Sequence, residues 1–260
     1  MIDKKQTFEE FGRLLDILDE LREKCPWDKK QTFETLRKLT IEETYELAEA
    51  ITSGNDNEIR NELGDLALHL VFYAKIGSEK GTFNLAEVFK GINEKLIFRH
   101  PHVFSDVKVT GASQVEENWE KLKIRENNGY KPVLSGVPAS LPAIIKANRI
   151  QEKVRGVGFD WENKEQIWDK VEEEMTELKE EVKRDNREEM ESEFGDVLFS
   201  IINAARLYGI DPEAALEKTN RKFIKRFNYL EKETIAKGKS LHDMTLDEMN
   251  IIWEEAKSVD

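Results

Sequence analysis

Two short acidic signatures occur in this chain with the same internal spacing. Glu42-Glu43-Thr44-Tyr45-Glu46 is followed after 15 residues by Glu62-Leu63-Gly64-Asp65, and Glu173-Glu174-Met175-Thr176-Glu177 after 15 by Glu193-Phe194-Gly195-Asp196. Carboxylates at i and i+3 or i+4 project from one helical face. Two such helices set face to face aim four or more oxygens at one point, an environment that hard divalent cations such as Mg²⁺ select. An acidic helix is more often a solvated surface, and Glu180, Glu181 and Glu188 read that way. The matched register of the two copies turns the reading toward metal. The candidate ligands are Glu43, Glu46, Glu62 and Asp65 in the first copy, and Glu174, Glu177, Glu193 and Asp196 in the second, with Glu173 as a further acid.

Each copy is followed, in the same order, by a basic pair four residues apart and by a tryptophan with a lysine one turn later. The second half has Lys222 and Arg226, then Trp253 and Lys257; the first has Lys95 and Arg99, then Trp119 and Lys123. Carboxylates that hold Mg²⁺ commonly share it with substrate phosphates. Lys and Arg supply positive charge to phosphate oxygens, and a tryptophan face stacks on any base. The set describes a nucleotide polyphosphate site. Taken singly, the lysines read as surface residues, the tryptophans as core anchors, and Gly64 and Gly195 as packing glycines or places of close approach. His69 has Ser200 at the matched place and reads as packing. His100 and His102 read equally as phosphate contacts or as a structural turn.

The elements that must position these residues are helical, because apolar residues recur at helical spacing almost throughout. Helices are expected from Phe8 to Leu21, Phe33 to Ile51, Asn57 to Ile76, Leu85 to Phe98 behind an Asn84–Glu87 capping box, and Ser113 to Arg125. The stretch from Gly129 to Pro138 is rich in turn formers and reads as a linker. Helices resume from Leu141 to Val154, Glu165 to Lys183, Arg187 to Tyr208, Pro212 to Ile235 behind an Asp211 N-cap, and Leu246 to Ala256. The expected architecture is all-α, a tandem duplication with about five helices per half: 1–127, a linker at 128–140, and 141–260.

Composition narrows the function classes. The chain has 260 residues, a formal net charge of −13 and one cysteine, Cys25. The acidic balance argues against direct nucleic-acid binding or attachment to an anionic membrane. The lone cysteine fits a reducing cytoplasm. No signal peptide is read at the N-terminus, and no apolar run approaches the roughly 20 residues of a membrane span.

At this point the chain resembles the MazG family of nucleoside triphosphate pyrophosphohydrolases in its two-domain form. The resemblance rests on the doubled acidic signature and on Cys25-Pro26-Trp27-Asp28, Arg99-His100-Pro101-His102-Val103-Phe104 and Gly156-Val157-Gly158-Phe159-Asp160-Trp161. It implies helical domains that pair into a homodimer. It also implies Mg²⁺-dependent cleavage of nucleoside and deoxynucleoside triphosphates, at the α-phosphorus, to monophosphate and pyrophosphate, with Mn²⁺ as a possible substitute. By motif position it implies that Glu174, Glu177, Glu193 and Asp196 hold the metal, as do Glu43, Glu46, Glu62 and Asp65 in the first half. It further implies that Lys170, Lys222, Arg226, Trp253 and Lys257, with Arg99 and Lys123 in the first half, contact substrate. The second half, whose basic and aromatic set is intact, is expected to be the main catalytic one. The implied role is nucleotide-pool housekeeping.

Competing readings are a narrower dUTP or phosphoribosyl-ATP hydrolase, and a nucleotide-binding regulator or scaffold without turnover. A di-iron carboxylate bundle requires Glu-x-x-His pairs, and neither acidic cluster contains one.

Overall fold

The computed structural model describes residues 3–109, 111, 114–115, 132–236 and 238–258. Secondary structure among the described residues is helical, with no strand. The chain divides into two compact units, Met1–Val109 and Thr110–Asp260.

In the first unit, α1 spans Lys4–Lys24, α2 Phe33–Ser53, α3 Asp56–Glu79, α4 Leu85–Arg99 and the one-turn α5 Pro101–Phe104. Local chemistry sets the boundaries. Asp3 Oδ1 accepts from the backbone of Lys5 and Gln6 at 3.0 and 3.2 Å. Thr32 and Thr35 close a reciprocal cap on α2. The expected Asn84–Glu87 capping box is present, with bonds of 2.9 and 3.0 Å. These contacts satisfy backbone donors that a helix start leaves unpaired.

Leu18 of α1, Leu36 of α2, and Val71, Phe72 and Ile76 of α3 form the buried core, with Phe11, Leu14, Leu15, Phe33, Leu39, Leu68 and Tyr73 around it. The acids continue the buried rows: Glu43 stands seven residues after Leu36, and Glu62 and Asp65 stand seven residues before the buried His69 and Phe72, so core and carboxylates share helix faces. Gly77 is a packing requirement: a Cβ there would meet the Phe83 ring at 2.7 Å.

The second unit repeats the pattern. A 3-10 turn at Val133–Gly136 is held by Lys153, whose Nζ donates to the Val133 carbonyl at 3.1 Å. Then follow α6 Ala143–Arg155, α7 Ile167–Arg184, α8 Arg187–Leu207, α9 Pro212–Ala236 and α10 Leu246–Lys257. Asp211 Oδ1 caps α9 through the backbone of Glu213 and Ala214, as its place before Pro212 predicts. The helix expected from Ser113 to Arg125 lies almost wholly outside the described residues.

In both units an arginine pins the loop that leads from the first helix to the acid-bearing hairpin. Arg22 binds Glu79 on α3 at 2.5 and 3.1 Å, and also the carbonyls of Asp28 and Gln31. In the second unit Arg206 on α8 clasps both carboxylate oxygens of Asp160. The Cys-Pro-Trp-Asp and Gly-Phe-Asp-Trp segments thus have a structural part to play: they deliver the chain to α2 and α7 in register.

The two hairpins turn at matched positions with different residues. Gly54 ends α2 at φ +70°, and Asp185, 131 positions later, ends α7 at φ +55°. A left-handed residue with a Cβ is strained where glycine is not. Asp185→Gly is therefore expected to stabilise the second unit by about 0.5–1 kcal/mol, read as a rise in the midpoint of chemical denaturation. No change or a loss would contradict the strain.

Candidate metal and nucleotide site

The acidic signatures lie on the paired helices α2–α3 and α7–α8, and each hairpin gathers carboxylates at one place. In the first unit Glu43, Glu62 and Asp65 each offer one oxygen, all within 4.8 Å of one another. In the second, Glu174, Glu177 and Glu193 do the same. Glu46 lies close enough to repel Glu43, and Asp196 close enough to repel Glu193. The eight expected ligands are thus brought to two places, six in tight groups and two at their edges.

Crowding shows in the electrostatics. Burial, then repulsion by Asp65, Glu46 and Glu62, pushes the Glu43 carboxyl above its ordinary range. Glu177 is raised by burial and by Glu174 and Glu173, with Lys170 opposing. Glu193 is raised by burial, then by Glu177, Asp196, Glu174 and Glu181. Like charges brought together out of water disfavour ionisation.

One atom decides how this arrangement is read. Glu193 Oε2 is buried and has no hydrogen-bond donor among the described residues. A buried carboxylate oxygen without a donor is costly. A cation set among the three oxygens removes both the orphaned acceptor and the repulsion, so the donor set fits a hard divalent ion.

Other expected residues fall into distinct settings. Lys170 Nζ binds Glu173 Oε1 at 2.9 Å and Glu174 Oε1 at 2.8 Å, so it stands at the acid cluster itself. Lys222 and Arg226 lie on α9, the first exposed and the second half-buried. Trp253 packs its ring on Phe223 at 5.0 Å between centroids, which gives it a part in joining α10 to α9. Lys257 binds Glu254 on its own helix at 2.5 Å. Among the described residues no ion pair joins Lys222 or Lys257 to the clustered carboxylates of α7 and α8. In the first unit Lys95 is exposed and Arg99 half-buried near the end of α4; Trp119 and Lys123 lie outside the described residues.

The histidines separate by environment. His69 is buried, and burial lowers its pKa against the pull of Asp65. It stands outside the three-carboxylate group, as the packing reading expects. His100 Nδ1 meets the Leu96 carbonyl at 2.7 Å, where α4 gives way to Pro101 and α5; this is the structural-turn reading. Among the described residues a Cβ at Gly64 or Gly195 meets nothing within 4 Å, so neither packs closely within its own unit. Glu181 is less solvated than its sequence context suggests, with a side chain 13% exposed and paired to Arg184. Arg22 and Arg206, which fix the loops, carry no spacing signal in the sequence; only their long-range partners reveal them.

The MazG nucleotide pyrophosphohydrolase domain model matches residues 31–104 and 162–230, more than half of the chain. The chain belongs to the MazG family. It is 44% identical over 253 residues to the nucleoside triphosphate pyrophosphohydrolase/pyrophosphatase MazG of Thermotoga maritima, covering 96% of each chain. It is 39% identical over 255 residues to the nucleoside triphosphate pyrophosphohydrolase of Escherichia coli K12, covering 95% of this chain and 97% of that one. A similarity of 45% over 262 residues to the uncharacterised protein YabN of Bacillus subtilis covers 99% of this chain and 54% of that protein. The two MazG matches enclose α2–α5 and α7–α8, with both acidic clusters, and reach Lys222 and Arg226 on α9. Trp253 and Lys257 lie beyond them.

The raised carboxyls give a test of signed direction. Glu193 holds its proton more readily in the folded than in the unfolded chain. Its contribution to stability is therefore full below the ordinary glutamate value near 4.5 and is lost as pH rises through the raised value. Glu193→Gln should raise the metal-free melting midpoint at pH 7–8 and leave it nearly unchanged at pH 4. Mg²⁺ should raise the wild-type midpoint more than the variant's. Scanning calorimetry that finds the variant less stable at both pH values would contradict the electrostatic account.

Proposed function

We propose that the chain hydrolyses nucleoside and deoxynucleoside triphosphates at the α-phosphorus, releasing monophosphate and pyrophosphate, with Mg²⁺ as cofactor and Mn²⁺ as a substitute. The carrying observation is the buried, donor-less Glu193 Oε2 within a set of three converging carboxylates. Membership of the family and the printed activities of the Thermotoga and Escherichia relatives supply the substrate class.

In this reading Glu174, Glu177, Glu193 and Asp196 hold the metal in the second unit, and Glu43, Glu46, Glu62 and Asp65 in the first. A divalent ion so held supplies Lewis-acid polarisation of phosphate and lowers the pKa of bound water. The chain's own residues do the remaining work. Lys222 and Arg226 place positive charge against the leaving pyrophosphate, joined by Lys170. Trp253 and Lys257 contact the nucleotide, as Arg99 and Lys123 do in the first half. Glu173, beside the ligand set, or a free oxygen of Glu174 orients the attacking water. The second half is the main catalytic one, because Lys170 stands at its acids whereas Leu39 takes the matched place in the first.

The chain, with domains 1–127 and 141–260 joined by the 128–140 linker, acts as a homodimer. Matched apolar positions support that association. Leu63 and Leu70 on α3, and Phe194 and Ile201 on α8, are exposed at the same register of the two repeats, and exposed apolar rows on acid-bearing helices call for a partner surface. A cytoplasmic place and the absence of direct nucleic-acid binding follow from the lone cysteine and the −13 charge. No described helix is long and apolar enough to cross a membrane. The biological role is nucleotide-pool housekeeping.

Incubation with Mg²⁺ and ATP, dCTP or dUTP in ¹⁸O-labelled water should yield monophosphate carrying the label, plus pyrophosphate. Glu193→Gln should lower turnover by about 100-fold or more, and Glu62→Gln should spare most of it. Diphosphate plus orthophosphate would refute attack at the α-phosphorus, and no turnover of any nucleotide would favour a regulator.

A further inference from the structure

We propose that Lys170 is a built-in counter-ion that makes divalent-cation binding in the second unit depend on triphosphate binding; the idea rests on the metal-site reading above. The Nζ atom lies 2.9 Å from Glu173 Oε1 and 2.8 Å from Glu174 Oε1. The Glu174 side chain is only 11% exposed, while that of Lys170 is 36% exposed. The ammonium therefore reaches in from the wet side and neutralises a carboxylate that is itself in the ligand set. A divalent ion arriving alone must share Glu174 with a charge of its own sign.

A triphosphate removes that conflict. It brings several negative charges to the same place and gives the ammonium an anion to face once the metal engages Glu174. Lysine suits such an exchange because it is a compact point charge on a flexible stem. The effect is a coupling free energy, so it is reciprocal: nucleotide tightens metal, and metal tightens nucleotide by the same factor.

The first unit is an internal control. The position 131 residues earlier is Leu39, which packs against the Leu18–Leu36 core. Glu43 there has no ammonium at the matched place, and its cluster takes a cation without that competitor. The two halves, alike in their acids, thus differ in whether the metal site is charge-compensated before substrate arrives.

The test uses the full chain carrying Glu62→Gln, which weakens the first cluster, and titrates Mn²⁺ by calorimetry and by electron paramagnetic resonance. Titrations are run with and without the α,β-imido analogue of ATP. In this background Lys170→Leu should bind Mn²⁺ about three- to tenfold more tightly without nucleotide. The enhancement of Mn²⁺ affinity by the analogue should fall by about the same factor. Lys170→Gln, which keeps a polar contact to the carboxylates but not the charge, should behave like the leucine variant. Mn²⁺ affinity and nucleotide enhancement that both survive loss of the lysine would overturn the coupling and leave the metal site standing. Absence of Mn²⁺ binding in every background, analogue present or not, would overturn the metal site and the coupling together.

Discussion

The mutual repulsion of carboxylates held together between two antiparallel helices is the constraint around which each unit is built. Glu174, Glu177 and Glu193 converge to within 4.8 Å, and the cost of that convergence appears in the raised carboxyls of Glu177 and Glu193. What holds α7 against α8 is apolar burial along the same helix faces, at Ile167, Val171 and Leu178 of α7, which flank the buried Glu174 at helical spacing, and at Ile202 and Ala204 of α8. Each of the larger side chains contributes on the order of 1.5–3 kcal/mol when fully buried, enough together to hold several like charges in place. The first unit uses the same device with Leu36, Val71, Phe72 and Ile76.

A site held under such strain is poised for a cation, and the two units relieve the strain differently before one arrives. The second places Lys170 against Glu173 and Glu174. The first has leucine there and leaves Glu43 raised by burial and by its neighbours. Duplicated domains can thus keep one ligand set while diverging in the charge around it. The arginine clasps follow a similar logic. Arg22 and Arg206 reach carboxylates from opposite elements of their units, yet each fastens the loop that sets the entry of an acid-bearing helix.

Much of this was legible in the sequence, because it depends on short-range periodicity. Apart from the one-turn α5, which no expectation covered, the described helices fall within a few residues of their expected bounds, and the caps at Asn84 and Asp211 are present. The carboxylates meet because i, i+3 and i+4 spacing fixes which side chains share a face, and because a hairpin with a two-residue turn leaves its helices few alternative registers. The glycines show where such reasoning stops. Gly64 and Gly195 read plausibly as places of close helix approach, but a Cβ there meets open space. Gly77, unremarked in sequence, is the one filled by an aromatic ring.

What the sequence determined by itself, then, was the helical class, the duplication and the two acidic faces. These follow from composition and from patterns repeated within one or two helical turns. Tertiary structure alone decided which oxygen is orphaned, that Lys170 neutralises Glu174, that Trp253 lies on Phe223, and that Arg206 clasps Asp160 from 46 residues away. Such facts depend on rotamers and on the docking of helices distant in the chain. No local pattern encodes them, because they exist only once the core has set the helices against one another.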